Sequence, residues 1–172
     1  MAIAGPWIGS SGVAETGKRW MQEIGAAVRM PAPFWASNLG GRSVYNISFG
    51  VYERMYNNVR YRGQWGVGWS YPFSKPSGYG NVGGSFEGNA FGTLVAIGSS
   101  LADNRGGNVL SIQNGPVTNL TLTTDDGAVF YFNNTERFDS GYRQYDCTDR
   151  AALYNYLNAR VGQTRQGLVT RR

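Results

Sequence analysis

The chain has 172 residues and a net charge of +5, with 16% charged residues against roughly 25% in an ordinary soluble domain. It has no histidine and one cysteine, which excludes histidine-based catalytic triads, the common zinc sites and any intrachain disulfide. With 25 glycines and 14% aromatic residues beside so few charges, the composition fits a surface largely covered by neighbours, and the single cysteine suits a reducing compartment or a particle assembled inside a cell.

In chain order, residues 1–11 read as an extended arm that docks through Pro6 and Trp7. Residues 12–29 read as one amphipathic helix with the apolar face Val13, Gly17, Trp20, Met21, Ile24 and Val28, stopped by Pro31 and Pro33. Residues 44–56 and 59–73 then form a hairpin about Asn57-Asn58, with Phe49 facing Gly66, Ile47 facing Gly68 and Glu53 facing Arg62. A Gly/Ser loop covers 74–90, a strand 91–98 and a polar loop 99–108.

A meander follows: a strand at 109–113, a turn at Asn114-Gly115, a strand at 117–124, a turn at Asp126-Gly127 and a strand at 128–133. A second helix opens at Thr148 or Asp149. It carries Ala152, Leu153, Tyr156, Leu157 and Val161 on one face and stops at Gly162. The last ten residues form a short strand or an arm that ends in Arg171-Arg172. The fold class is therefore mainly β, an antiparallel sandwich or barrel of six to eight strands with a helix near each end. It divides into an arm (1–11), one β-rich domain (12–162) and a C-terminal arm (163–172).

In Tyr61–Phe73 the large residues Trp65, Val67, Trp69, Tyr71 and Phe73 alternate with Gly66, Gly68 and Ser70, the period of a strand. The ring face Trp65, Trp69, Tyr71, Phe73 reads as core or subunit interface. A platform for sugar rings or lipid headgroups is the alternative. The positive charge is almost all arginine, scattered without the stripe of a nucleic-acid reader, so no sequence-specific nucleic acid is expected. Most acids sit at turns and helix starts. Of the two in the β region, Glu53 and Glu87, the first is explained by Arg62, so paired-carboxylate catalysis is not expected. Residues 102–108 read as a turn rather than a calcium loop, and no cofactor or metal is expected. No run of 18 apolar residues crosses a membrane, and the start lacks the features of a signal peptide.

The stretch TDRAALYNYLNARVGQT (148–164) resembles a short helix that precedes a final strand in tailed-phage tail proteins. The glycine-, asparagine- and tyrosine-rich, histidine-free composition is similar in style to phage virion components. That resemblance implies a non-enzymatic structural protein of the virion (tail, head–tail joint or capsid decoration). Such a protein is assembled in the host cytoplasm and joins copies of itself and other virion proteins through its arms and its aromatic and arginine surfaces. A second resemblance, carried by a helix at 12–29 and by Val67–Phe73, is to actinoporin-like cytolysins and fungal fruit-body lectins. It implies glycan or lipid-headgroup binding through Trp65, Trp69, Tyr71 or Phe73.

Overall fold

The computed structural model describes residues 2–3, 8–30, 32, 36, 43–56, 59–67, 82–98 and 108–172. The chain divides into two compact units, Met1–Tyr45 and Asn46–Arg172. In the first unit the expected single helix is two, α1 (Ile8–Thr16) and α2 (Met21–Ala27). Gly17 takes a φ of +67°, open to glycine at little cost, and its N–H closes the last turn of α1 on the Val13 carbonyl. Trp20 is extended at the start of α2.

The break rotates the apolar face. Ile24 and Val28 are buried with Ile3, whereas Val13, Trp20 and Met21, expected on the same buried face, are exposed. Segment 43–45 is tied to the helices by two side chains. Glu15 Oε1 accepts from Ser43 Oγ (2.6 Å) and from the Val44 N–H (3.1 Å). The Arg29 guanidinium donates to the carbonyls of Ser43, Val44 and Tyr45 at 2.7–3.3 Å. Pro6 and Trp7 lie outside the described residues.

The second unit is an antiparallel barrel. Its described residues form ten strands, β1 (Ile47–Gly50), β2 (Tyr52–Tyr56), β3 (Val59–Gln64), β4 (Gly83–Phe86), β5 (Asn89–Ile97), β6 (Val109–Gln113), β7 (Leu120–Thr124), β8 (Val129–Asp139), β9 (Tyr142–Cys147) and β10 (Thr164–Arg171). Eight of them run β5-β4-β1-β10-β7-β8-β9-β6, and the β5–β6 pairing closes the ring. Closure removes the exposed strand edges that an open sheet leaves. The β2–β3 hairpin is attached to β5 outside the ring.

The barrel interior follows from period-2 alternation. Leu120 and Leu122 point in from β7, and Phe130 and Phe132 from β8. They meet Phe49, Leu94, Leu110, Ile112 and Tyr145 in one apolar cluster. Helix α3 (Arg150–Asn158) adds Leu153, Tyr156 and Leu157 to that cluster. Its N-cap is Asp149, whose side chain accepts from the Ala152 N–H at 2.9 Å, and Gly162 follows at a φ of +85°.

Several expected pairings differ. Glu53 does face Arg62, but Ile47 and Phe49 pair with Gly167 and Arg165 of β10, while Gly68, the residue expected opposite Ile47, lies outside the described residues. The strand breaks at Val51, whose N–H donates to the Gln163 carbonyl and whose carbonyl accepts from Gly162, so β1 leaves the hairpin and joins the barrel. Asn114-Gly115 does not make a hairpin: β6 pairs with β5 and β9, and β7 with β10 and β8. Asp126-Gly127 does, through a Thr124 N–H to Ala128 carbonyl bond of 2.8 Å. β8 runs six residues past its expected end at Asn133, to Asp139. Strand β4 lies inside the segment expected as a loop, and β9 in one assigned to no element. Of the two readings of the last ten residues, Thr164–Arg171 has the strand, paired on both sides within the barrel.

Candidate interaction surfaces

The carboxylates are largely engaged. Glu53 pairs with the buried Arg62 at 3.3 Å, and Arg62 also donates to Asn158 Oδ1 at 2.9 Å. Glu87 takes both ends of Arg171 at 2.6–2.7 Å, which draws its pKa below the usual carboxylate range. Asp125 and Asp126 share Arg165, Asp126 also takes Arg160, and Asp146 pairs with Arg137.

The Asp126 carboxylate is the centre of a network. It accepts from Thr124 Oγ1 (2.6 Å), Tyr156 Oη (3.0 Å) and Arg160 (2.6 and 3.0 Å), while Arg160 lies 3.8 Å over the Tyr156 ring. Burial alone raises its pKa, but these hydrogen bonds and the arginine charge outweigh it and hold the group well below the usual range. The network joins the β7–β8 turn to the end of α3 and the start of β10, so its role is to lock the helix onto the barrel. Burial pushes the Cys147 thiol up to about 11, which leaves it protonated and unreactive near neutrality. Among the described residues no three metal-ligating acidic or sulfur side chains gather.

Trp65 faces inward. Its ring is buried with Tyr61, Val95 and Val109 and meets Tyr61 edge-on at 4.9 Å, with the Arg54 guanidinium 5.9 Å from its centre. The backbone just beyond it runs across the outer wall of the barrel. Thr93 Oγ1 (3.2 Å) and Ser111 Oγ (2.8 Å) donate to the Val67 carbonyl, and the Gly66 N–H donates to Thr93 Oγ1 (2.9 Å). A Cβ on Gly92 would stand 2.2 Å from that carbonyl, so glycine is needed at the crossing. Of the ring face expected to be core, interface or ligand platform, Trp65 is packing within the chain, while Trp69, Tyr71 and Phe73 lie outside the described residues.

The described residues expose the rings of Trp20, Tyr52, Tyr131 and Phe138. In the first unit Trp20 is 74% exposed, with Val13 and Met21 also exposed. On the barrel, the outer side of β8 presents Val129 and Tyr131. Arg172 lies 4.8 Å over the Tyr131 ring, and Arg171 points instead to Glu87. The sequence pattern holds the signal for the β8 surface, because alternation along 128–133 puts Val129, Tyr131 and Asn133 on one face. It holds none for Trp20, whose exposure depends on the break at Gly17.

Comparison with known proteins places the likeness at the N-terminus. Residues 1–40 match the model of the phage tail fibre adhesin Gp38 N-terminal domain. The receptor-recognizing protein gp38 of Salmonella phage S16 is 50% identical over 44 residues, which are 25% of this chain and 18% of that protein. The match thus spans less than a fifth of the relative's length. No solved structure matches the chain. The residues of the family match, 1–40, are not those at 148–164 on which the sequence resemblance was drawn. The chain resembles tailed-phage tail proteins, and tail fibre adhesins, to which its first 40 residues are similar, are components of the virion.

Proposed function

We propose that the chain is a non-enzymatic component of a phage tail whose two units divide the work. The Met1–Tyr45 unit attaches to the tail fibre, and the barrel contacts the bacterial receptor. The observation that carries this is a coincidence of boundaries. The family match covers residues 1–40, close to the whole first unit, and ends before the barrel begins at Asn46. A module shared between adhesins suits a shared attachment point, whereas a module outside the match suits a ligand that differs between phages. Val13, Trp20 and Met21, all exposed in the first unit, supply the attachment surface, since tryptophan is enriched among the residues that dominate binding. Self-association through the same apolar patch belongs to the proposal, and native mass spectrometry of the purified chain reads it.

The test is incorporation into particles. Phage carrying Trp20→Asp are expected to lose this protein from purified virions by immunoblot, while the free protein keeps its circular dichroism. Normal incorporation of that variant overturns the attachment surface.

A further inference from the structure

The outer face of β10, β7 and β8 is a three-strand surface that carries one arginine, Arg172, whose guanidinium has no ion-pair partner among the described residues. Pairing sets Leu168, Thr123 and Val129 in one row and Thr170, Thr121 and Tyr131 in the next. All point away from the barrel core, because their neighbours Leu120, Leu122, Phe130, Phe132 and Val169 point into it. Arg172 closes the next row. Its N–H donates to the Asn119 carbonyl at 2.9 Å, and its guanidinium is held over the Tyr131 ring. Arg172 makes no ion pair among the described residues, whereas Asp146, which faces Asn133 in the register, pairs through one carboxylate oxygen with Arg137, and Glu87 pairs with Arg171.

A guanidinium held on a ring has already lost much of its rotamer freedom and keeps its N–H edges for a carboxylate or phosphate. The hydroxyls of Thr121, Thr123 and Thr170 beside it match a ligand dense in hydroxyls. We propose that this face binds acidic polysaccharide of the bacterial surface, with Arg172 on its carboxylate or phosphate groups. The inference rests on the receptor-contact reading of the barrel and names the ligand class. Charge complementarity selects an acidic over a neutral chain, and the hydroxyl-rich surround selects a saccharide over an apolar protein loop.

The experiment uses the full chain on immobilised bacterial polysaccharides, one set bearing uronate or phosphate groups and one neutral, read by biolayer interferometry at low and moderate salt. Binding is expected only to the acidic set and weaker at higher salt. The affinity should fall at least about tenfold in Arg172→Gln and in Tyr131→Ala. Arg172→Lys, which keeps charge but not the planar stack, should fall between. Arg60→Gln, an exposed arginine on β3, should bind as the parent does. Equal binding to both sets, binding to neither, or full binding by the folded Arg172→Gln and Tyr131→Ala variants overturns the proposal. Adhesion of the labelled chain to host cells reads the receptor function separately. Adhesion with no acidic-polysaccharide binding overturns the ligand class alone, and absence of both overturns the receptor reading as well.

Discussion

At the residue scale the sharpest dependence is on Asp126. Its folded-state pKa is depressed, so the folded chain holds this carboxylate ionised at a pH where the unfolded chain has begun to protonate it. The stability it contributes is complete above the ordinary value of about 3.9 and is lost as acid protonates the folded form. Asp126→Asn keeps the size and loses the charge that binds Arg160 and Arg165. It is expected to cost about 2 kcal/mol at neutral pH and to flatten the fall in stability below about pH 4, both read from urea unfolding across pH. A variant that follows the parent's acid curve would place the acid sensitivity elsewhere. Cys147 gives a second residue-level expectation. Buried and protonated, it should react with a thiol reagent at neutral pH only when the barrel opens, so labelling should follow the urea transition and not precede it.

At the element scale the β8–β9 connection is a two-residue turn in which Ser140 (φ 52°) and Gly141 (φ 84°) are both left-handed, the pattern that matches the twist of a hairpin. Gly141→Ala forces a Cβ into that region and should cost about 1 kcal/mol, whereas Ser140→Asn should be neutral or slightly stabilising, both by urea midpoint. The sequence carried a Ser-Gly signal there, but the alternation after Asn133 is interrupted. Between Asn134 and Phe138 the register slips, and Glu136 takes a φ of 61°. A bulge of this kind hides a long strand from a period-2 reading.

The same contrast separates what could be read from what could not. Asp126-Gly127, the Asp149 cap and the Glu53–Arg62 pair depend on neighbours in sequence or on one local turn, and each is present. The pairing of β1 with β10 joins residues more than a hundred positions apart, and nothing local to Ile47–Gly50 specifies it. Asn114-Gly115 had the same strength of turn signal as Asp126-Gly127. It serves a different purpose: a Cβ on Gly115 would meet the Tyr145 hydroxyl at 2.4 Å, and that hydroxyl donates to the Pro116 carbonyl at 2.7 Å. The glycine is there for the close approach of a tyrosine across the barrel end, which no pattern within the turn reveals. The site was less legible than the fold. The ring face starting at Trp65 was visible as a face, but whether a ring points into its own chain is set by what crosses it, here Arg54 and the outer side of β5 and β6.

At the scale of the whole molecule each unit has its own core. The cluster of Ile3, Ile24 and Val28 draws on residues before Tyr45, while the barrel cluster and the one around Trp65 draw only on residues after Asn46. A barrel whose hydrogen bonds close on themselves and whose apolar cluster is complete has the elements of an autonomous folding unit. The first unit is different in kind: among the described residues its buried core is Ile3 before α1 with Ile24 and Val28 at α2, and three such side chains beside helices of nine and seven residues bury too little apolar surface for a robust fold alone. Removal of residues 1–45 should therefore leave the β-type circular dichroism and a cooperative thermal transition within a few degrees of the parent. The isolated 1–45 segment should show little stable helix until its partner is present. If attachment to the fibre completes the core of the first unit, adding the fibre protein should restore helical signal to that segment. Full helicity in the free segment would instead mean that the unit is built to dock as a finished surface, with Trp20 the part left over for contact.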